Sequence, residues 1–276
     1  MKKLIFSIPL AATLALSFSL PAQAGAIRNV SSFTGNSLAA NDDNSTGLVN
    51  IGFNINFFGV SQSNLFVNNN GNVTFNDPLG TFTPFGLLTS TFAIIAPFFA
   101  DVDTRASGSS PVQYGQDVIG GRNVFGVNWI NVGVYNLLPI FNSFQLIMTD
   151  RSDIGAGNFD FEFNYDNVVW ETGSASGGAG GLGGSSARVG YTNGNTTDVE
   201  FAGSGVNGAF LNAGSNSLIQ GSLNSNVAGR YIFNVRNGVV APPPPPTMAV
   251  PEPVSLALVG LALVGMAASS RKKRAV

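Results

Sequence analysis

Cysteine and histidine are absent from this chain of 276 residues, and lysine occurs only within its first three and last five. Without Cys or His there are no disulfides, no thiolate or imidazole metal sites, no iron–sulfur ligation, and no Ser-His-Asp or Cys-His catalysis. Without an interior lysine, Schiff-base chemistry and the phosphate-binding lysine of a P-loop are also excluded there. Charge is scarce: 13 bases face 15 acids, net −2. Six of those bases (Lys2, Lys3, Arg271, Lys272, Lys273, Arg274) and one acid (Glu252) sit in the terminal segments, leaving seven arginines against 14 acids, net −7. An acidic body with no basic patch is not a nucleic-acid binder, which needs several Lys or Arg contacts to phosphate. Stability must come from an apolar core, and roughly 215 residues between the termini suffice for one.

The two ends read as addresses. Lys2 and Lys3, an apolar stretch from Leu4 to Leu20 and Ala22-Gln23-Ala24 form a secretory signal peptide over residues 1–24. Its A-x-A site, Ala22 and Ala24, predicts cleavage by signal peptidase and a mature start near Gly25. At the other end, the apolar run 254–268 is short for a span that wants about 20 residues, and Arg271-Lys272-Lys273-Arg274 stops it. Pro251-Glu252-Pro253, the apolar run and this basic cluster together resemble a PEP-CTERM sorting signal over residues 250–276. The resemblance implies an exosortase as processing partner, transient membrane insertion through 254–268, and delivery to the surface or extracellular matrix of a Gram-negative bacterium. Residues 239–249, with five consecutive prolines, form an extended polyproline linker.

Between the ends, short β-rich runs alternate with Gly/Asn/Ser/Asp turns, which predicts an all-β fold, an antiparallel β-sandwich-like domain over residues 25–238. The run 48–59 alternates at Ile51, Phe53, Ile55 and Phe57, and 65–75 reads as a hairpin turning at Asn70-Gly71. Further strands are predicted over 123–136, 142–150, 158–170, 187–193 and 229–237. In 158–170, Phe159, Phe161, Phe163 and Tyr165 are predicted to face the core, and Asp160, Glu162, Asn164 and Asp166 to face outward. Helices are predicted only at the termini.

Three stretches, 94–105, 144–173 and 187–194, resemble the NIDO domain, the extracellular module named after nidogen. They contain Pro97-Phe98-Phe99-Ala100-Asp101-Val102-Asp103 and Trp170-Glu171-Thr172-Gly173. The resemblance spans about residues 94 to 236 and implies a non-catalytic role in cell–matrix adhesion, with an extracellular polysaccharide or matrix protein as partner. Asp101 and Asp103 are the sharpest local feature. On a strand, residues i and i+2 share one side about 6.6 Å apart, so both carboxylates would serve one Ca²⁺. The competing role is hydrogen bonding at a strand end, with Arg105 as partner. Segments 150–158 and 41–47 are weaker calcium candidates on the same logic.

The glycine-rich stretch 173–187 contains a literal G-x-G-x-x-G from Gly178 to Gly183, but a strand and not a helix follows, so it reads as a mobile loop. Two other functions stay open. A carbohydrate-binding module would use Trp129, Trp170 or Tyr135. A glycoside hydrolase would need a facing pair drawn from Asp160, Glu162 and Asp166.

Overall fold

The computed structural model describes residues 25–195 and 197–241. The strands are β1 (Asn36–Ser37), β2 (Val49–Phe57), β3 (Val60–Asn68), β4 (Asn72–Thr74), β5 (Ile94–Phe99), β6 (Gln113–Ile119) and β7 (Arg122–Val134). They continue with β8 (Leu138–Asp150), β9 (Phe159–Asn167), β10 (Arg188–Thr192), β11 (Asp198–Glu200), β12 (Arg230–Arg236) and β13 (Val239–Val240). Seven of them form one sheet in the order β1-β6-β7-β8-β9-β12-β13, and six form the other, β11-β10-β5-β4-β3-β2. Every pairing between these strands is antiparallel. The all-β reading therefore holds. Among the described residues the only helical segments are the 3-10 turns Leu87–Thr89, Ser152–Ile154 and Ser174–Ser176, and no helix is long and apolar enough to cross a membrane.

The core lies between the sheets, where alternate side chains from both meet. Phe159, Phe161, Phe163 and Tyr165 of β9 face Ile55 and Phe57 of β2, Ile95 of β5 and Val189 and Tyr191 of β10 within one buried cluster. Phe161 stacks on Phe233 at 4.6 Å between ring centroids and meets Tyr191 edge-on at 5.4 Å. Fully burying each such ring contributes about 1.5–3 kcal/mol, which stands in for the missing disulfides. β5 is buried along its whole length, because Leu79, Leu87 and Phe85 cover its outer side as a second cluster with Ile94, Ala96 and Phe99.

The outer face of β9 corrects the sequence reading. Glu162 is 6% exposed and Asn164 fully buried, although alternation assigned both to solvent. The cover is the chain's own N-terminal segment. Arg28 grips Glu162 through both carboxylate oxygens, and its backbone N–H donates to Gln145 Oε1 at 3.1 Å. Beneath it the amides of Asn128, Gln145 and Asn164 sit in cross-strand register on β7, β8 and β9. They hydrogen bond in series at 2.8 and 3.1 Å, and Arg230 of β12 closes the row on Asn164 Oδ1. A polar row becomes an interior layer once each amide finds a partner.

The glycine-rich stretch also differs from expectation. It is knitted by backbone bonds, with Gly181 O accepting from the N–H groups of Glu171 and Thr172, and Ala179 and Leu182 exchanging a pair. The strand β10 follows it directly, so no helix N-terminus is offered to a phosphate. The sequence reading also missed β6, whose Gln113–Ile119 lacks a clean apolar alternation.

Candidate functional site

One end of the six-stranded sheet is organised by the turn Asn69-Asn70-Gly71 between β3 and β4. Turns of this composition usually face water, yet Asn68, Asn69, Asn70 and Asn72 are all buried. Each amide ties a different piece of backbone. Asn69 Nδ2 donates to Asp42 O and to Val102 O at 2.6 Å, and its own carbonyl accepts from Trp129 Nε1 at 3.1 Å. Asn70 Oδ1 accepts from Val102 N–H at 2.9 Å, while its Nδ2 donates to Asp43 Oδ1 at 2.9 Å. Gly71 lets the turn lie against β5: its φ is +75°, and a Cβ there would stand 1.8 Å from Phe98 O. The segment 41–44 is thereby clamped to residues 100–102.

Asp101 and Asp103 follow β5, and their carboxylates have different surroundings. After Phe99 the chain leaves the sheet, and Val102 makes an isolated bridge to Val134 at the end of β7. Asp103 is held by Arg105, which donates from Nε to Oδ1 and from Nη2 to Oδ2, both at 2.8 Å, and from its backbone N–H to Oδ1 at 2.9 Å. The alternative weighed from sequence, pairing with Arg105, is thus the role of Asp103.

Asp101 has a different company. It is 1% exposed, and neither carboxylate oxygen has a hydrogen-bond partner. Its neighbours are Asp42 and Asp43, and one oxygen from each of the three lies within 4.8 Å of the others. Asp42 gives Oδ2 to Arg105 at 2.8 Å and keeps a buried, unpartnered Oδ1. Burial, then the neighbouring carboxylates, push Asp101 up to about 7 and Asp42 up to about 6. The three acids border a cavity of about 130 Å³ with Phe82, Tyr135 and Ala175. Gly173 closes in from the glycine-rich loop: a Cβ there would meet Asp101 Oδ2 at 2.2 Å. The sequence marked 41–47 as a separate, weaker candidate. Nothing local signals that Asp42 and Asp43 meet Asp101, because the clamp that joins them is the buried asparagine turn.

The remaining candidate residues are occupied in other ways. In 150–158, Asp150 Oδ1 accepts from Ser152 N–H at 2.8 Å and Asp153 pairs with Arg122 at 2.6 Å, so the loop gathers no carboxylate cluster. Asp160 is gripped by Arg151 and Arg236, each at 2.7 Å, Glu162 by Arg28, and Asp166 accepts from Ile27 N–H at 3.2 Å. Asp160 and Glu162 border one pocket of about 200 Å³ from a single strand, and each is held there by arginine. Trp129 and Trp170 are fully buried core residues, which removes them as carbohydrate platforms; Tyr135 is half-buried beside the acidic cavity. All seven arginines between the termini have partners: Arg28, Arg105, Arg122, Arg151, Arg188 and Arg236 form eight ion pairs, and Arg230 bonds Ala26 O and Asn164. Ala22, Ala24, Pro251, Glu252, Pro253, Arg271, Lys272, Lys273 and Arg274 lie outside the described residues.

Two antiparallel sheets around an aromatic core, with the site chemistry confined to carboxylates and amides at one end, define a β-sandwich module of the kind the motif residues anticipate. The chain belongs to the nidogen-like domain family, whose model matches residues 63–237 and so begins upstream of the motif stretches. Alpha-tectorin of Mus musculus is 33% identical over 227 residues, 73% of this chain and 10% of that protein. Alpha-tectorin of Homo sapiens is 32% identical over the same coverage, and that of Gallus gallus is 29% identical over 231 residues. The chain spans about a tenth of the length of these curated relatives. No solved structure matches it.

Proposed function

We propose that this chain is an exported, non-catalytic module of a bacterial surface or extracellular matrix, working in adhesion or matrix structure. The observation that carries the reading is membership of the nidogen-like domain family across residues 63–237, together with similarity to alpha-tectorins. The engagement of Asp160, Glu162 and Asp166 by arginines and backbone supports a binding role over hydrolysis. Signal peptidase removes residues 1–24. An exosortase reads Pro251-Glu252-Pro253 with the apolar run and basic cluster behind it, so insertion through 254–268 is a transient stage of a membrane-bound precursor in a Gram-negative envelope. The polyproline linker 239–249 holds the sandwich away from the point of attachment, and an extracellular polysaccharide or matrix protein is the partner.

Intact mass of the protein recovered from envelope and medium of the native host tests this. A species that begins near Gly25 and ends near Pro251–Pro253 is the expected result. A species that keeps 254–276 and occurs only in membranes overturns the sorting and release reading.

A further inference from the structure

The geometry points to a calcium site that residue spacing did not give: we propose that Asp101, Asp42 and Asp43 bind one Ca²⁺ in the cavity between the 41–44 segment, the end of β5 and the glycine-rich loop. Two independent observations carry it. The first is the cluster itself, three carboxylate oxygens within 4.8 Å of one another on segments nearly sixty residues apart in sequence. The second is Asp101, a carboxylate 1% exposed with both oxygens buried and unpartnered. A buried carboxylate with no donor costs several kcal/mol unless a cation or a proton compensates it.

The surroundings favour a cation. Asp42, a member of the same group, adds a third buried, unpartnered oxygen, Oδ1. Arg105 neutralises part of the charge but spends its bonds on Asp103 and on the other oxygen of Asp42, so it does not reach Asp101. The loop backbone comes close to the carboxylate: at Gly173 a side chain would displace Asp101 Oδ2, and only a glycine leaves that oxygen its place. The cavity of about 130 Å³ has room for an ion and for water ligands.

The choice of metal follows from the donors. With no Cys or His in the chain, the oxygen-only set selects a hard cation over zinc, copper or iron. Calcium accepts irregular sets of 6–8 oxygens at about 2.3–2.6 Å, water included, whereas magnesium demands near-ideal octahedral geometry and sheds its water reluctantly. Carboxylates contributed by two separate segments, one of them shared with an arginine, suit the first.

The test is a thermal melt of the purified full chain in calcium chloride, in magnesium chloride and in EDTA. At calcium about a hundredfold above its Kd, the midpoint is expected to rise by about 5–10 °C over EDTA. Asp101→Asn and, independently, the more accessible Asp43→Asn are expected to abolish that rise. Asp103→Asn should lower the midpoint in every buffer, since Arg105 loses one of its two carboxylate partners, yet retain the calcium rise. Equal midpoints for the parent chain in calcium and EDTA would overturn the site, as would a full calcium rise surviving both Asp101→Asn and Asp43→Asn. An equal rise in magnesium would overturn the choice of calcium.

Discussion

Glu162 and Asp101 are both carboxylates hidden from water, 6% and 1% exposed, and the fold treats them in opposite ways. Glu162 lies beneath the N-terminal segment, gripped by Arg28 and by the amide of Asn164 at 2.8 Å. Asp101, at the other sheet, has no donor at all. A third buried acid, Glu171, shows an intermediate solution: it accepts the backbone N–H groups of Gly208 and Phe210, each at 2.6 Å. Its pKa is still raised by burial, with those two bonds working against the shift. A chain with only seven interior arginines nevertheless supplies partners for three of its four buried acids, Asp103, Glu162 and Glu171. The bare state of Asp101 is therefore not a consequence of scarce donors. The calcium ion proposed above would be the partner that Asp101 lacks.

Glu171→Ala strips the acceptor from two N–H groups of the 208–210 segment and is expected to cost about 2–4 kcal/mol in chemical denaturation. Arg28→Ala leaves Glu162 covered but without its cation, and about 1–3 kcal/mol should be lost, moderated by the partial exposure of Arg28. Asp101→Asn should do the reverse in EDTA. Removing a charge that lacks a donor is expected to stabilise by about 1–2 kcal/mol, whereas Glu162→Gln destabilises. If both amide substitutions destabilise alike in chelator, the two sites do not differ as the comparison says. At the small end, Asp153→Asn removes an exposed pair with Arg122 and should leave the denaturation midpoint unchanged within error.

Much of the fold was legible because aromatic alternation is a strong signal. Phe159, Phe161, Phe163 and Tyr165 are all buried as their spacing requires. Their neighbours Glu162 and Asn164 were misread because period-two patterning separates two faces without saying what covers the second one. The cover, around Arg28, comes from over a hundred residues away. At the site, Asp101 was legible as a candidate but its companions were not. The i, i+2 argument assumes an unbroken strand, and the chain leaves β5 after Phe99, giving Asp103 to Arg105 and Asp101 to the 41–44 segment. The asparagine turn that joins these pieces has the composition of an ordinary surface hairpin, so its burial is visible only in three dimensions.

The engagement of every interior arginine has a consequence for durability. A trypsin-like protease must draw an extended Arg or Lys side chain, with several residues of flanking backbone, into its cleft. This module offers no lysine between its termini, and each arginine there is already bound to a carboxylate or a carbonyl. Most of those arginines also sit on or beside hydrogen-bonded strands. Cleavage at these residues then waits on local opening of the sandwich, so the ion pairs that balance its acids also guard its peptide bonds.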